Sequence, residues 1–186
     1  MKTSVSACLL CVLLASPAYA QMEGAGAGTA ASPNPITDGA KTSYELVKGW
    51  LTKSAEVAPE AVFAFKATPE VRTFGQIIGH IADANYMICA TAAGEKPPGG
   101  DVEKTKITKA DLSKALAESF AYCDAVFAAT TDESGAETVK FMGGGDMAKL
   151  SVLSFNTAHD FEHYGNLVTY LRLNKIVPPS TQAGMK

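Results

Sequence analysis

His159 and His163 lie four residues apart in a segment with helical spacing, and His80, the remaining histidine of the chain, lies in another such segment. Residues i and i+4 of an α-helix share one face, one turn apart, so the pair can offer two imidazoles to a single metal ion. A third imidazole from a neighbouring helix makes a three-histidine site with room left for water or substrate. Three neutral imidazoles leave a divalent ion its full charge and at least one open position. Such an ion can acidify water or polarise a substrate oxygen or sulfur. Zinc, nickel and iron(II) all accept imidazole ligands, whereas a closed structural zinc site calls for a fourth protein ligand.

His80 falls on a stripe with Ile77, Ile81, Ala84, Met87 and Ile88, and His159 and His163 on one with Val152, Asn156, Leu167 and Tyr170. Core-facing imidazoles need a hydrogen-bond partner or a metal. Spacing alone does not choose between one shared ion and separate structural histidines. Asp83, Asn156 and Glu162 are the side chains whose helical spacing would let them orient an imidazole, although Asp83 and Glu162 also read as solvated. The run His159-Asp160-Phe161-Glu162-His163 also matches H-x-x-E-H, in which the glutamate is a general base. Those peptidases take a further acidic ligand from downstream, and no Asp or Glu follows Glu162. No catalytic residue beyond the candidate ligands His80, His159 and His163 is assigned.

Four amphipathic segments must position these residues. The first is expected from Thr37 or Asp38 to about Val57, with Tyr44, Val47, Leu51 and Ala55 (and Trp50) on its apolar face. The second starts at Thr73, where Gln76 completes a capping box, and ends at Gly94. The third is capped by Thr108 and carries Leu112, Leu116, Phe120, Cys123 and Phe127. The fourth is expected to be capped by Asp146, to run to about Leu173 and to stop before Pro178-Pro179. Glu137 to Met142 reads as a short strand or strap, and Gly143-Gly144-Gly145 as a turn without the features of a phosphate loop. The fold class is therefore all-α, a four-helix bundle with an extended segment between the third and fourth helices. Tyr44, Trp50, Tyr86 and Tyr164 are candidates for a pocket lining, though aromatic residues at helical spacing more often belong to a core.

Residues 1–20 read as a secretory signal peptide: Lys2, an apolar run from Ala7 to Ala15, and Ala18-Tyr19-Ala20 as the cleavage site. Residues 21–36 read as a flexible tether, 37–180 as the domain and 181–186 as a tail. The expected location is periplasmic or secreted, with no membrane association after cleavage. Cleavage would leave Cys89 and Cys123, and an oxidising compartment permits a disulfide without requiring one. The net charge is −3, and there is no basic cluster, so nucleic-acid binding has no electrostatic footprint.

The segment Thr73-Phe-Gly-Gln-Ile-Ile-Gly-His80-Ile-Ala-Asp83, and the run from Ala158 through His159, His163, Tyr164-Gly165-Asn166 and Leu171 to Pro178-Pro179, resemble the histidine segments of DinB-like proteins. The resemblance covers nearly all of the chain beyond the signal. It implies a four-helix bundle, often a homodimer, with a divalent metal held by His80, His159 and His163. It also implies a small-molecule substrate, some relatives being thiol-dependent transferases or isomerases. Tyr164-Gly165-Asn166 replaces the Arg-Gly-Gln common in the family, and an export signal separates the protein from cytosolic thiol cofactors. The leading expectation is an exported metal-dependent hydrolase or transferase. The alternatives are a non-catalytic metal- or ligand-binding bundle and a bundle whose site has become a helix-pairing module.

Overall fold

The computed structural model describes residues 31–183; the signal-peptide reading and most of the tether lie outside them. The elements in chain order are α1 (Pro35–Val57), α2 (Glu60–Phe63), α3 (Phe74–Ala93), α4 (Val102–Thr105), α5 (Lys109–Ala129), α6 (Asp132–Gly135), β1 (Thr138–Lys140), β2 (Asp146–Ala148), α7 (Lys149–Leu173) and α8 (Pro179–Ala183). The four long helices form the expected bundle. α3 packs on α5 and α7, and α1 on α7 and α5.

Local chemistry accounts for most of the boundaries. α1 starts at Pro35, two or three residues before the expected start, because proline at the first helical position has its φ preset and loses no hydrogen bond. α3 has both halves of the capping box: Thr73 Oγ1 accepts from Gln76 N at 3.0 Å, and Gln76 Oε1 accepts from Thr73 N at 2.8 Å. Gly94 closes α3 in the left-handed conformation, at φ 72°. Thr73→Ala is expected to lower stability by about 1 kcal/mol, read as a shift in the urea midpoint at constant slope.

The fourth helix departs from expectation. Asp146 is not its cap but lies in β2, paired with Lys140 of β1. The ladder carries the chain into α7, and Lys149 N donates to Glu137 O at 2.8 Å in place of a side-chain cap. The buried stripe of α7 is also rotated. It runs through Val152, Asn156, Asp160, His163 and Leu167, leaving His159 at its edge. At about 100° per residue, Asp160 lies closer in angle to Asn156 than His159 does. Pro178-Pro179 does not end the structure. α8 follows, and Ser180 N donates to the Tyr164 hydroxyl at 2.8 Å.

The core is apolar and aromatic, with Tyr44 stacked on Phe127 at 4.5 Å. Two features interrupt it. Cys89 of α3 and Cys123 of α5 form a disulfide, both fully buried. One helical turn away lies a polar layer of Asn85, Ser119, Asn156 and Asp160, none with any exposure. Asn156 Nδ2 donates to Asn85 Oδ1 at 2.8 Å, and Asn85 Nδ2 to Ser119 Oγ at 3.2 Å. Burial pushes the Asp160 carboxyl well above the usual carboxylate range, favouring its neutral form.

Candidate metal centre

His80 is in the second turn of α3, beyond a capped and rigid N-terminus. His159 and His163 occupy successive turns near the middle of α7, the helix packed against α3. Their rings converge. His159 Nε2 lies 3.2 Å from His80 Nε2 and 3.1 Å from His163 Nε2. His163 is buried, and the other two are half-buried.

The electrostatics keep these rings neutral. Burial is the largest cause of the downward shift in each case, and the neighbouring imidazoles add to it at His159 and His163. The His163 value falls to about 4. Neutral imidazoles have a lone pair to give at ordinary pH.

Three Nε2 atoms at these separations cannot satisfy one another. His159 Nε2 faces two neighbours but has either one proton or one lone pair. A single cation placed among them accepts all three lone pairs. Two nitrogens held at about 2.05 Å by a tetrahedral ion are about 3.3 Å apart, close to the observed spacing. The three histidines therefore fit a divalent ion, and among the described residues they form the cluster able to hold one.

The opposite ring nitrogens differ. His80 Nδ1 is 3.4 Å from Glu103 Oε2 and 3.5 Å from Arg72 Nη2, and Arg72 Nε donates to Glu103 Oε1 at 2.8 Å. His163 Nδ1 is 3.4 Å from the Asn166 side-chain amide. With the lone pair of the ring at Nε2, the amide oxygen is the group that suits the Nδ1 proton. His159 Nδ1 is buried without a hydrogen-bond partner among the described residues.

A cavity of about 270 Å³ opens beside His80 and His159, with Ala84, Met87, Ile88 and Met142 as apolar walls and Asp83 also lining it. Met87 belongs to this mouth rather than to the core and is 42 % exposed. Met142 comes from the β1–β2 turn, next to Gly143 at φ 70°. A larger cavity, about 700 Å³, lies beyond α4 and shares only Glu103 with the histidine surroundings.

The three histidines predicted from sequence come together. The three side chains proposed to orient them make no hydrogen bond to them. Asp83 accepts from the backbone of α4, Asn156 belongs to the polar layer, and Glu162 is exposed. The tyrosines and Trp50 do not line the histidine cavity. Tyr44 is core, and Trp50 stacks on Tyr164 at 5.1 Å. The residues that face the outer nitrogens are Glu103, Arg72 and Asn166. Asn166 was within reach of the spacing rule, three residues after His163. Glu103 was not, because it arrives from a separate turn 23 residues after His80.

A solved DinB-like protein from Bacillus cereus ATCC 10987 superposes with a TM-score of 0.67 at 17% identity, covering 76% of this chain and 95% of that one. A mycothiol-dependent maleylpyruvate isomerase superposes at 0.57 with 15% identity, covering 73% of this chain and 65% of that one. At these identities the likeness is one of fold. No curated protein matches the chain in sequence. The sequence pattern of the DinB superfamily matches residues 44–167, from the core face of α1 to the inner face of α7. That span includes the converging histidines, and the chain belongs to the DinB superfamily.

Proposed function

We propose that the protein is exported and holds one divalent metal ion through His80, His159 and His163 for hydrolysis or group transfer on a small molecule. The observation that carries this reading is the convergence of three Nε2 atoms at 3.1 and 3.2 Å. An ion there would supply Lewis acidity toward a substrate oxygen or sulfur and acidify water. The chain itself supplies the rest. Burial keeps the ligand nitrogens unprotonated. The walls of Ala84, Met87, Ile88 and Met142 receive an apolar body and shed water.

Two features support export. Residues 1–20 have the pattern of a secretory signal, and the Cys89–Cys123 bridge is of a kind that persists in oxidising compartments. That location favours hydrolysis over transfer to a cytosolic thiol. One observation favours the second reading, a binder without turnover. Asp83 is the carboxylate lining the cavity, and both its oxygens already accept backbone N–H groups. Among the described residues, no uncommitted acid or base lines the cavity over the histidines.

The test is elemental analysis of protein purified without chelator, followed by thermal melts with zinc, nickel or iron(II) and turnover of uncharged aryl esters. One equivalent of metal is expected. A free ion at a thousandfold over its dissociation constant should stabilise the fold by about 4 kcal/mol, reversed by chelator. A melting temperature unmoved by metal would remove the reading, and metal binding without turnover of any ester would favour the binder.

A further inference from the structure

α4 is a single turn, too short to be stable alone, yet it is fixed against α3 at the position of His80. Three residues of α3 account for this. Asp83 accepts from Val102 N at 2.8 Å through Oδ1 and from Glu103 N at 3.0 Å through Oδ2. It thereby takes up two of the unpaired amides that open α4. Gly79 provides the contact surface. A Cβ there would lie 2.7 Å from Glu103 Cα and 2.9 Å from Glu103 N, closer than a side-chain carbon can come to backbone. Between these two residues is His80. In the segment Gly79-His80-Ile81-Ala82-Asp83, the glycine seats α4, the aspartate clamps it, and the histidine receives what α4 carries.

What α4 carries is Glu103. With the His80 lone pair at Nε2 turned to the other histidines, its proton is on Nδ1, so this nitrogen is a donor. Arg72 also only donates. The two cannot bond each other, although 3.5 Å apart. Glu103 can resolve the conflict by offering an acceptor to each: Oε1 accepts from Arg72 Nε, and Oε2 lies 3.4 Å from His80 Nδ1.

We infer that Glu103 is a positioning residue of the metal centre, delivered to His80 Nδ1 by the Gly79–Asp83 seat. This rests on the three-histidine reading of the site. A carboxylate on the outer nitrogen fixes the tautomer with the lone pair at Nε2 and makes that lone pair more basic. Asp83, which hydrogen-bonds no histidine, acts on the centre through α4. Arg72 holds the carboxylate in place and limits its rotation.

Two readouts on the full chain test this. The first is zinc affinity by chelator competition. Glu103→Ala and Asp83→Ala should each lose roughly 10- to 100-fold, while Glu103→Gln, which keeps an acceptor oxygen, should recover most of it. The second is long-range nitrogen–proton NMR of the imidazoles in metal-free protein. His80 should be the Nδ1–H tautomer in the wild type and a mixture in Glu103→Ala. The second readout does not need a metal. If zinc does not bind the wild type but the tautomer responds as stated, the positioning role stands and the metal reading falls. If both alanine variants bind zinc within twofold of the wild type and leave the tautomer unchanged, Glu103 is only the surface partner of Arg72. Glu103→Ala tests the role independently if Asp83→Ala fails to fold, because the Glu103 side chain is partly exposed and outside the core.

Discussion

Alanine in place of His163 should abolish one-to-one metal binding at micromolar ion. His163 is the most buried of the three histidines, at 7 % exposure, and its Nε2 stands 3.1 Å from that of His159. No other group on α7 can replace it: Glu162 points to solvent and Asp160 into the polar layer. Losing a ligand itself should cost more than the 10- to 100-fold typical of an outer partner, on the order of 10³-fold. Titration calorimetry measures it. Stoichiometric binding at wild-type affinity by His163→Ala, His159→Ala or His80→Ala would refute a shared site. The same histidine sets a pH dependence. An unfolded chain protonates its histidines near 6.5, whereas His163 in the fold takes its proton only near about 4. Between those values the unfolded state binds more protons, so the stability of the metal-free protein falls as pH is lowered from about 6.5 to about 4. Asp160 contributes with the opposite sign, because its proton is held more tightly in the fold. The difference between wild type and His163→Ala cancels that contribution. Denaturant midpoints should therefore decline less steeply toward acid in the variant.

The second large effect belongs to the disulfide. Cys89 and Cys123 enclose 34 residues of sequence separation. A cross-link of that span removes enough freedom from the unfolded chain to stabilise the fold by about 4 kcal/mol. The double variant Cys89→Ala/Cys123→Ala should melt about 10 °C lower. Because neither sulfur is exposed, reductant should act on the native wild type only as fast as the protein opens. Rapid reduction under native conditions, or a double variant melting with the wild type, would contradict this.

The long helices were legible in the sequence because each has an apolar stripe of adequate length, and α3 and α5 also have side-chain-capped starts. Thr73, Gln76, Thr108 and Gly94 act through neighbours in the chain, which a sequence displays directly. The start of α7 was misplaced because its first amide is satisfied by Glu137, reached through a hairpin whose second strand has only three residues. The histidines were legible as a set that could converge, and they do converge, but their surroundings were not legible. Asp83 looked like an orienting group because it shares a face with His80, yet the backbone of α4 takes both its oxygens. Glu103 depends on a long-range approach that only Gly79 permits, and spacing says nothing about it. Asp160 was passed over because a carboxylate reads as solvated until its place on the stripe of Asn156 and Leu167 is seen.

The buried polar layer acts as a keyway for the helices. Asn85 is five residues after His80 on α3, and Asn156 is three before His159 on α7, with Asn156 Nδ2 closing on Asn85 Oδ1 at 2.8 Å. An apolar interface tolerates sliding, because one aliphatic side chain replaces another at little loss. Here a slip of one turn, about 5.4 Å, would strand two amides and a carboxyl in a dry core. The same slip would carry His80 a full turn away from His159 and His163. Helix alignment and histidine alignment are thus one choice, made by the asparagines.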